Sequence, residues 1–170
     1  HLYYERRGGD VSAIITACAH VREDGKFAAS PSISSDKHID SLSKLAKTIQ
    51  STGSKAILQI FHVGRMGSYR SLRGMQPVSA SAVPALRENA EVPRELSAEE
   101  VEEIVWDFGE ATRRAIQAGF DGIELHGANT YLIQQFFSPH SNRRNDYWGG
   151  TLEKKNEFPY RSSKCSPTSN

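Results

Sequence analysis

The stretch SAEEVEEIVWDFGEATRRAIQAGFDGIELHGA, residues 97–128, places a helix and a strand back to back. Ser97 followed three places later by Glu100 forms a capping box, in which each side chain satisfies the other residue's free backbone N–H; such a cap stabilises a helix by about 1 kcal/mol. Val101, Ile104, Val105, Phe108, Ala111 and Ala115 recur every three or four residues and mark one buried stripe. Gly119 stops the helix, and GIELHGA follows at once as a strand. A helix that hands straight over to a strand is the crossover half of a βαβ unit, so this stretch predicts a parallel sheet.

The same order holds upstream. HLYYERRGG reads as the end of a helix stopped by Gly8 and Gly9, and VSAIITACAHV, residues 11–21, is an almost unbroken apolar run of strand length. Such a run suits a strand covered on both faces. Residues 22–35 carry turn formers without a period and read as a loop. From Asp36 a helical spacing resumes at Ile39, Leu42, Leu45, Ala46 and Ile49, ends near Gly53, and gives way to the strand KAILQIFHV, residues 55–63. Residues 64–96 form a long punctuated loop, a length that compact domains usually reserve for function. The pattern is strand, helix, strand, helix, strand: an α/β fold.

The chain has 170 residues, 38% of them hydrophobic, and a formal net charge of +1 from 21 basic and 20 acidic residues. That balance belongs to a globular domain and gives no footprint for nucleic acid or an anionic membrane. No apolar run approaches the roughly 20 residues that span a bilayer. Cys18 and Cys165 are too few and too far apart for a disulfide framework or a zinc cluster, which points to a reducing compartment, the cytoplasm. No compact ligand spacing supports a metal site.

In parallel α/β folds ligands collect at the carboxyl ends of the strands, here 17–20, 59–65 and 124–131. Alternation along GIELHGA puts Ile123 and Leu125 on one face and Glu124 and His126 on the other. His126 and Asn129, three residues apart, can both donate to one oxygen, a site for a carbonyl that gains negative charge. Tyr131, a phenol with a reference pKa near about 10, is a proton donor at neutral pH. Taken singly each has a plainer reading: a satisfied core histidine, a turn asparagine, a packing tyrosine. Gln59 is harder to set aside, because an amide inside an apolar strand demands hydrogen bonds on both sides.

HGANTYLIQQFFSPHSNRRNDYWGG, GFDGIELHGA and LQIFHVGR closely resemble the Old Yellow Enzyme family of NADH:flavin oxidoreductases, FMN-containing (β/α)8 barrels that reduce activated C=C bonds. The resemblance runs over residues 1–159. It implies that His126 and Asn129 hold a substrate carbonyl oxygen, that Tyr131 protonates the carbon opposite hydride delivery, that Gln59 bonds the flavin pyrimidine edge, and that Ala17 is the small residue beside the flavin. It implies FMN as cofactor, NADH or NADPH as reductant, and an enone or quinone-like small molecule as substrate. His62 and Arg65 of the HVGR segment stand open between structural and cofactor roles, and Asn142, Arg143 and Asp146 read as pins for the loop after the third of these strands.

A (β/α)8 barrel typically needs about 250 residues. The expectation is therefore a partial TIM barrel, about strands 2 to 4 of the eight with their helices, over residues 1–160, with 161–170 as a disordered or foreign tail. Three readings stay open: part of an active flavoenzyme, a truncated inactive remnant, and a half-barrel binding or assembly module without flavin. Open strand edges would favour a homo-oligomer.

Overall fold

The computed structural model describes residues 2–164, and of the tail expected over 161–170 the part from Cys165 onward lies outside the described residues. The chain runs α1 (Leu2–Glu5), β1 (Ala13–Ile15), β2 (Ala19–His20), α2 (Ile39–Gln50), β3 (Lys55–Phe61), β4 (Val78–Ser79), β5 (Arg94–Glu95), α3 (Ala98–Gln117), β6 (Gly122–Leu125), α4 (Leu132–Phe137) and α5 (Leu152–Lys164). All pairing is parallel. β3 is central, flanked by β1 and β2 on one side and by β6 on the other. β4 and β5 form a separate two-stranded ladder inside the long 64–96 connection.

The expected strand over 11–21 is interrupted. Ile15 pairs with Ile57 but Ala19 pairs with Ile60, so four steps on one strand oppose three on its partner. The extra residue makes a bulge at 16–18, a device that barrels use beside active sites to re-aim a strand. The N–H that the bulge frees on Ala17 is taken by the Tyr4 hydroxyl at 2.8 Å, which ties α1 to the sheet.

α2 and α3 form where the sequence marks them. Ser97 Oγ accepts from Glu100 N at 3.2 Å and Glu100 Oε2 accepts from Ser97 N at 2.8 Å, the reciprocal capping box. The whole predicted stripe of α3 is buried. Past the helix, Gly119 adopts φ +87° and the chain reverses into β6. There Asp121 receives bonds from Ala56 N at 2.9 Å, Gln50 Nε2 at 2.9 Å and Lys55 Nζ at 2.8 Å, joining α2, β3 and β6 at the amino end of the sheet.

The core lies between the sheet and α2, α3 and α5, around Leu58, Ile60, Ile104, Phe108, Phe136 and Phe158. Phe158 stacks on Phe136 at 4.2 Å and meets Phe108 edge-on at 6.3 Å, docking α5. That helix continues through Lys164 and so extends four residues into the segment expected to be a tail. Buried Ser162 and the ion pair of Arg161 with Glu102 at 2.5 Å hold this last turn against α3. Among the described residues no helix is long and apolar enough to cross a membrane.

Candidate active site

At the carboxyl end of β6, His126 N donates to Ile60 O at 3.0 Å and so extends the ladder one residue beyond the strand. One step earlier Gln59 and Glu124 are partners in register, and Gln59 Nε2 donates to Glu124 Oε1 at 2.5 Å. This meets the donor half of the demand of an amide inside an apolar strand. It also fixes the carboxamide orientation, leaving Gln59 Oε1 as an acceptor.

The chain then turns sharply. Asn129 and Thr130 are consecutive left-handed residues with φ +54° and +58°. For a β-branched threonine that region is sterically costly, so the surroundings must hold it there. Two side chains from α4 do so: Thr130 N donates to Gln134 Oε1 at 2.5 Å, and Gln135 Nε2 donates to Thr130 O at 2.5 Å. Gln135 is itself buried; it also donates to Val63 O at 3.3 Å and accepts from Arg65 N at 3.2 Å and Ser79 Oγ at 3.0 Å. A single carboxamide thus locks the turn to the end of β3 and to β4.

The turn brings the three expected side chains together. The His126 and Tyr131 rings lie 4.6 Å apart between centroids, and Asn129 Nδ2 stands 3.3 Å from His126 Nε2. Ala128 N stands 3.3 Å from His126 Nδ1, and in the tautomer in which Nδ1 accepts that bond the ring proton sits on Nε2. Nε2–H and the Asn129 amide are then two donors side by side, and an oxygen placed between them satisfies both.

Tyr131 is half-buried against Phe27, at 5.6 Å between ring centroids, and Phe61, at 5.4 Å. Burial, with a smaller contribution from neighbouring Cys18, pushes the phenol above its ordinary value. Tyr131 therefore holds its proton at neutral pH. Burial likewise raises the Cys18 thiol.

Ala17 sits on the bulge, exposed at the same end of the sheet as Gln59. The set fits one edge of a flavin: a small exposed residue, an amide with a free acceptor, and an open polar strand face. The fit is confined to the ring system.

His62 and Arg65 are structural in their contacts. His62 is buried, with Nδ1 accepting from Gly64 N at 3.1 Å and Nε2 beside Asp24 at 3.2 Å. Arg65 bonds the carbonyls of Val83 at 3.3 Å and Pro84 at 3.1 Å. In the loop after β6, Asn142 Nδ2 bridges Phe136 O and Trp148 O, each at 2.8 Å, as expected of a pin. Arg143 contributes less than its neighbour: Arg144 pairs with Asp146 and bonds the carbonyls of Ala80 and Leu96. Sequence reasoning missed Arg144, Gln134 and Gln135. For Gln135 the signal was present, since an amide pair set between Ile133 and Phe136 on a short apolar helix carries the same burial problem as Gln59.

Against known proteins, the profile of the NADH:flavin oxidoreductase / NADH oxidase family matches residues 1–161. The chain is 56% identical over 158 residues to an NADH:acrylate oxidoreductase of Vibrio harveyi, covering 92% of this chain and 16% of that protein. It is 51% identical to an NADH:fumarate oxidoreductase of Klebsiella pneumoniae, covering 17% of it. Among solved structures, morphinone reductase in complex with tetrahydroNAD superposes with a TM-score of 0.89 at 29% identity, over 96% of this chain and 49% of that one. The old yellow enzyme homologue from Zymomonas mobilis superposes with a TM-score of 0.88 at 28% identity, over 95% of this chain and 48% of that one. The chain therefore spans about half of these barrels and about a sixth of the two longer relatives.

Proposed function

This chain belongs to the NADH:flavin oxidoreductase / NADH oxidase family, and on that premise we propose that it provides the substrate side of an FMN-dependent, NAD(P)H-driven reductase of C=C bonds conjugated to a carbonyl. The single observation that carries this reading is the donor pair of His126 Nε2 and Asn129 Nδ2, 3.3 Å apart beside the Tyr131 ring. When bound, FMN supplies the hydride relay between the nicotinamide and the β-carbon of the alkene. Gln59, oriented by Glu124, accepts from the pyrimidine edge, and Ala17 leaves room for the ring.

His126 and Asn129 receive the carbonyl oxygen as negative charge develops on it. Removal of one such donor typically costs about 2.7–4 kcal/mol of transition-state stabilisation. Tyr131 gives its phenolic proton to the α-carbon, and water restores it. The alkene thus gains one hydride and one proton. Acrylate and fumarate, which name the two relatives at 56% and 51% identity, both carry a C=C bond conjugated to a carboxyl group.

The test separates the two half-reactions by stopped flow in the FMN-loaded protein. For Tyr131→Phe, flavin reduction by NADH stays near the parent rate and alkene-dependent reoxidation slows by about 10² to 10⁴ fold. Equal losses in both steps would remove Tyr131 from the proton-donor role.

A second reading is favoured by coverage. In two relatives this segment makes up only 16% and 17% of the chain, so electrons taken from NADH have further domains to reach. On that reading Tyr131→Phe leaves overall turnover intact.

A further inference from the structure

Beside the candidate site lies a recess of about 430 Å³, formed by β2, the loop that follows it and the turn at 68–74. Lys26, Arg70 and Arg73 line it, with the hydroxyl-bearing Ser30, Ser32 and Ser71. Glu23 also lines the recess, but it pairs with Lys26 at 2.7 Å and accepts from Ser34 Oγ at 2.9 Å. That acid and that base cancel.

Arg70 and Arg73 have no such compensation. Arg22, Arg94, Arg113, Arg114 and Arg144 face carboxylates, and Arg65 and Arg87 bond carbonyls. Among the described residues the guanidinium groups of Arg70 and Arg73 have neither kind of partner. Both positive charges at this recess are open to a ligand.

The turn that presents them is built. Leu72 N donates to Ser68 O at 2.9 Å, Gly74 N to Tyr69 O at 2.7 Å, and Ser71 N to Ser68 Oγ at 3.1 Å. Leu72, fully buried with Phe61 and Val63, anchors it in the apolar cluster against which Tyr131 and Phe27 pack. Arg73 is held at φ +55°, a conformation that L residues adopt only under constraint. The recess also adjoins the reacting end: Phe27, one of its walls, stacks on Phe61 at 5.8 Å and meets Tyr131 edge-on at 5.6 Å.

We propose that this recess is a subsite for the phosphate end of an extended ligand whose reacting end lies at Tyr131, an assignment that rests on the function proposed above. Guanidinium forks match phosphate oxygens bidentately, and serine hydroxyls supply further donors. A neutral or apolar ligand would leave both arginines as they are. Two kinds of molecule carry such a phosphate: the nicotinamide dinucleotide, through its pyrophosphate or 2′-phosphate, and a thioester of coenzyme A.

Isothermal titration of the full chain with inorganic pyrophosphate tests the site without any flavin. The parent chain is compared with the double variant Arg70→Ala/Arg73→Ala and with Lys44→Ala/Lys47→Ala, which removes the same charge from the exposed face of α2. The expected result is binding that weakens with salt, falls by about tenfold or more in the arginine variant, as for loss of charge-assisted hydrogen bonds, and is unchanged in the lysine variant. NADH, NADPH and coenzyme A then identify the carrier. Dependence on the arginines with either dinucleotide assigns the subsite to the reductant, and with coenzyme A alone to the substrate. No pyrophosphate binding by the parent chain, equal losses in both variants, or no arginine-dependent binding of any of the three carriers overturns the proposal. Because the probe is inorganic, its failure leaves the roles of His126, Asn129 and Tyr131 to be judged by flavin experiments alone.

Discussion

Thr130 concentrates the cost of the site in one residue, since its left-handed backbone is clamped on the N–H by Gln134 and on the C=O by Gln135. Gln135→Leu removes the clamp on the C=O and leaves Arg65 N and Ser79 Oγ without partners. Each such group costs about 1–3 kcal/mol, so thermal melting should fall markedly, and a phenol mimicking the enolate should bind the FMN-loaded protein more weakly. Gln134→Leu removes only the exposed half and should cost less. Glu23 gives a pH-dependent prediction. Lys26, with Ser34 assisting, holds its carboxyl down to about 2 against the opposing effect of burial. A depressed carboxyl stabilises the fold above its unfolded value of about 4.5, and that stabilisation is lost as pH falls from there toward 2. Melting temperature measured across that window should decline less steeply in Glu23→Gln than in the parent. The residue types of His126, Asn129 and Tyr131 were legible in the sequence because they sit at fixed offsets from a strand end. Arg144 was not, since the carbonyls of Ala80 and Leu96 that it bonds are brought near only by folding.

Among the elements, α2, α3, β3 and β6 follow from periodicity and, for α3, a cap; the marked stripe is buried throughout α3 and at Leu42, Ala46 and Ile49 of α2, while β6 is half-buried along its whole length. The bulge between β1 and β2 does not follow in this way, because an apolar run looks the same with one residue more or fewer in register. Nor does the β4–β5 ladder, two residues per strand, which Gln135 and Arg144 brace from other parts of the chain. α5 was unexpected in its length. Its sequence is mostly polar, and docking rests on Phe158, which is fully buried between Phe108, Phe136 and Trp148. Phe158→Ala should cost about 3–5 kcal/mol as a large-to-small core substitution. Hydrogen exchange should then show loss of protection across α5 before α3, whose capping box does not involve Phe158.

For the whole molecule, the parallel sheet with β3 at its centre and the TM-scores of 0.88 and 0.89 establish the barrel architecture over the part of it that this chain spans. That part holds His126, Asn129 and Tyr131 beyond the carboxyl end of β6 and the Gln59 amide on neighbouring β3. On the function proposed above, this face takes the flavin ring with its pyrimidine edge at Gln59. An equilibrium absorbance titration of FMN with the purified chain decides this, run in parallel on Gln59→Ala and on Lys44→Ala/Lys47→Ala, which changes only the exposed face of α2. The expected result is a saturable change in the flavin spectrum that Gln59→Ala weakens by about tenfold or more, the loss of a hydrogen bond in a partly desolvated site, and that the lysine variant leaves unchanged. A flavin spectrum that the chain does not alter, or one altered equally by the parent and Gln59→Ala, would contradict it.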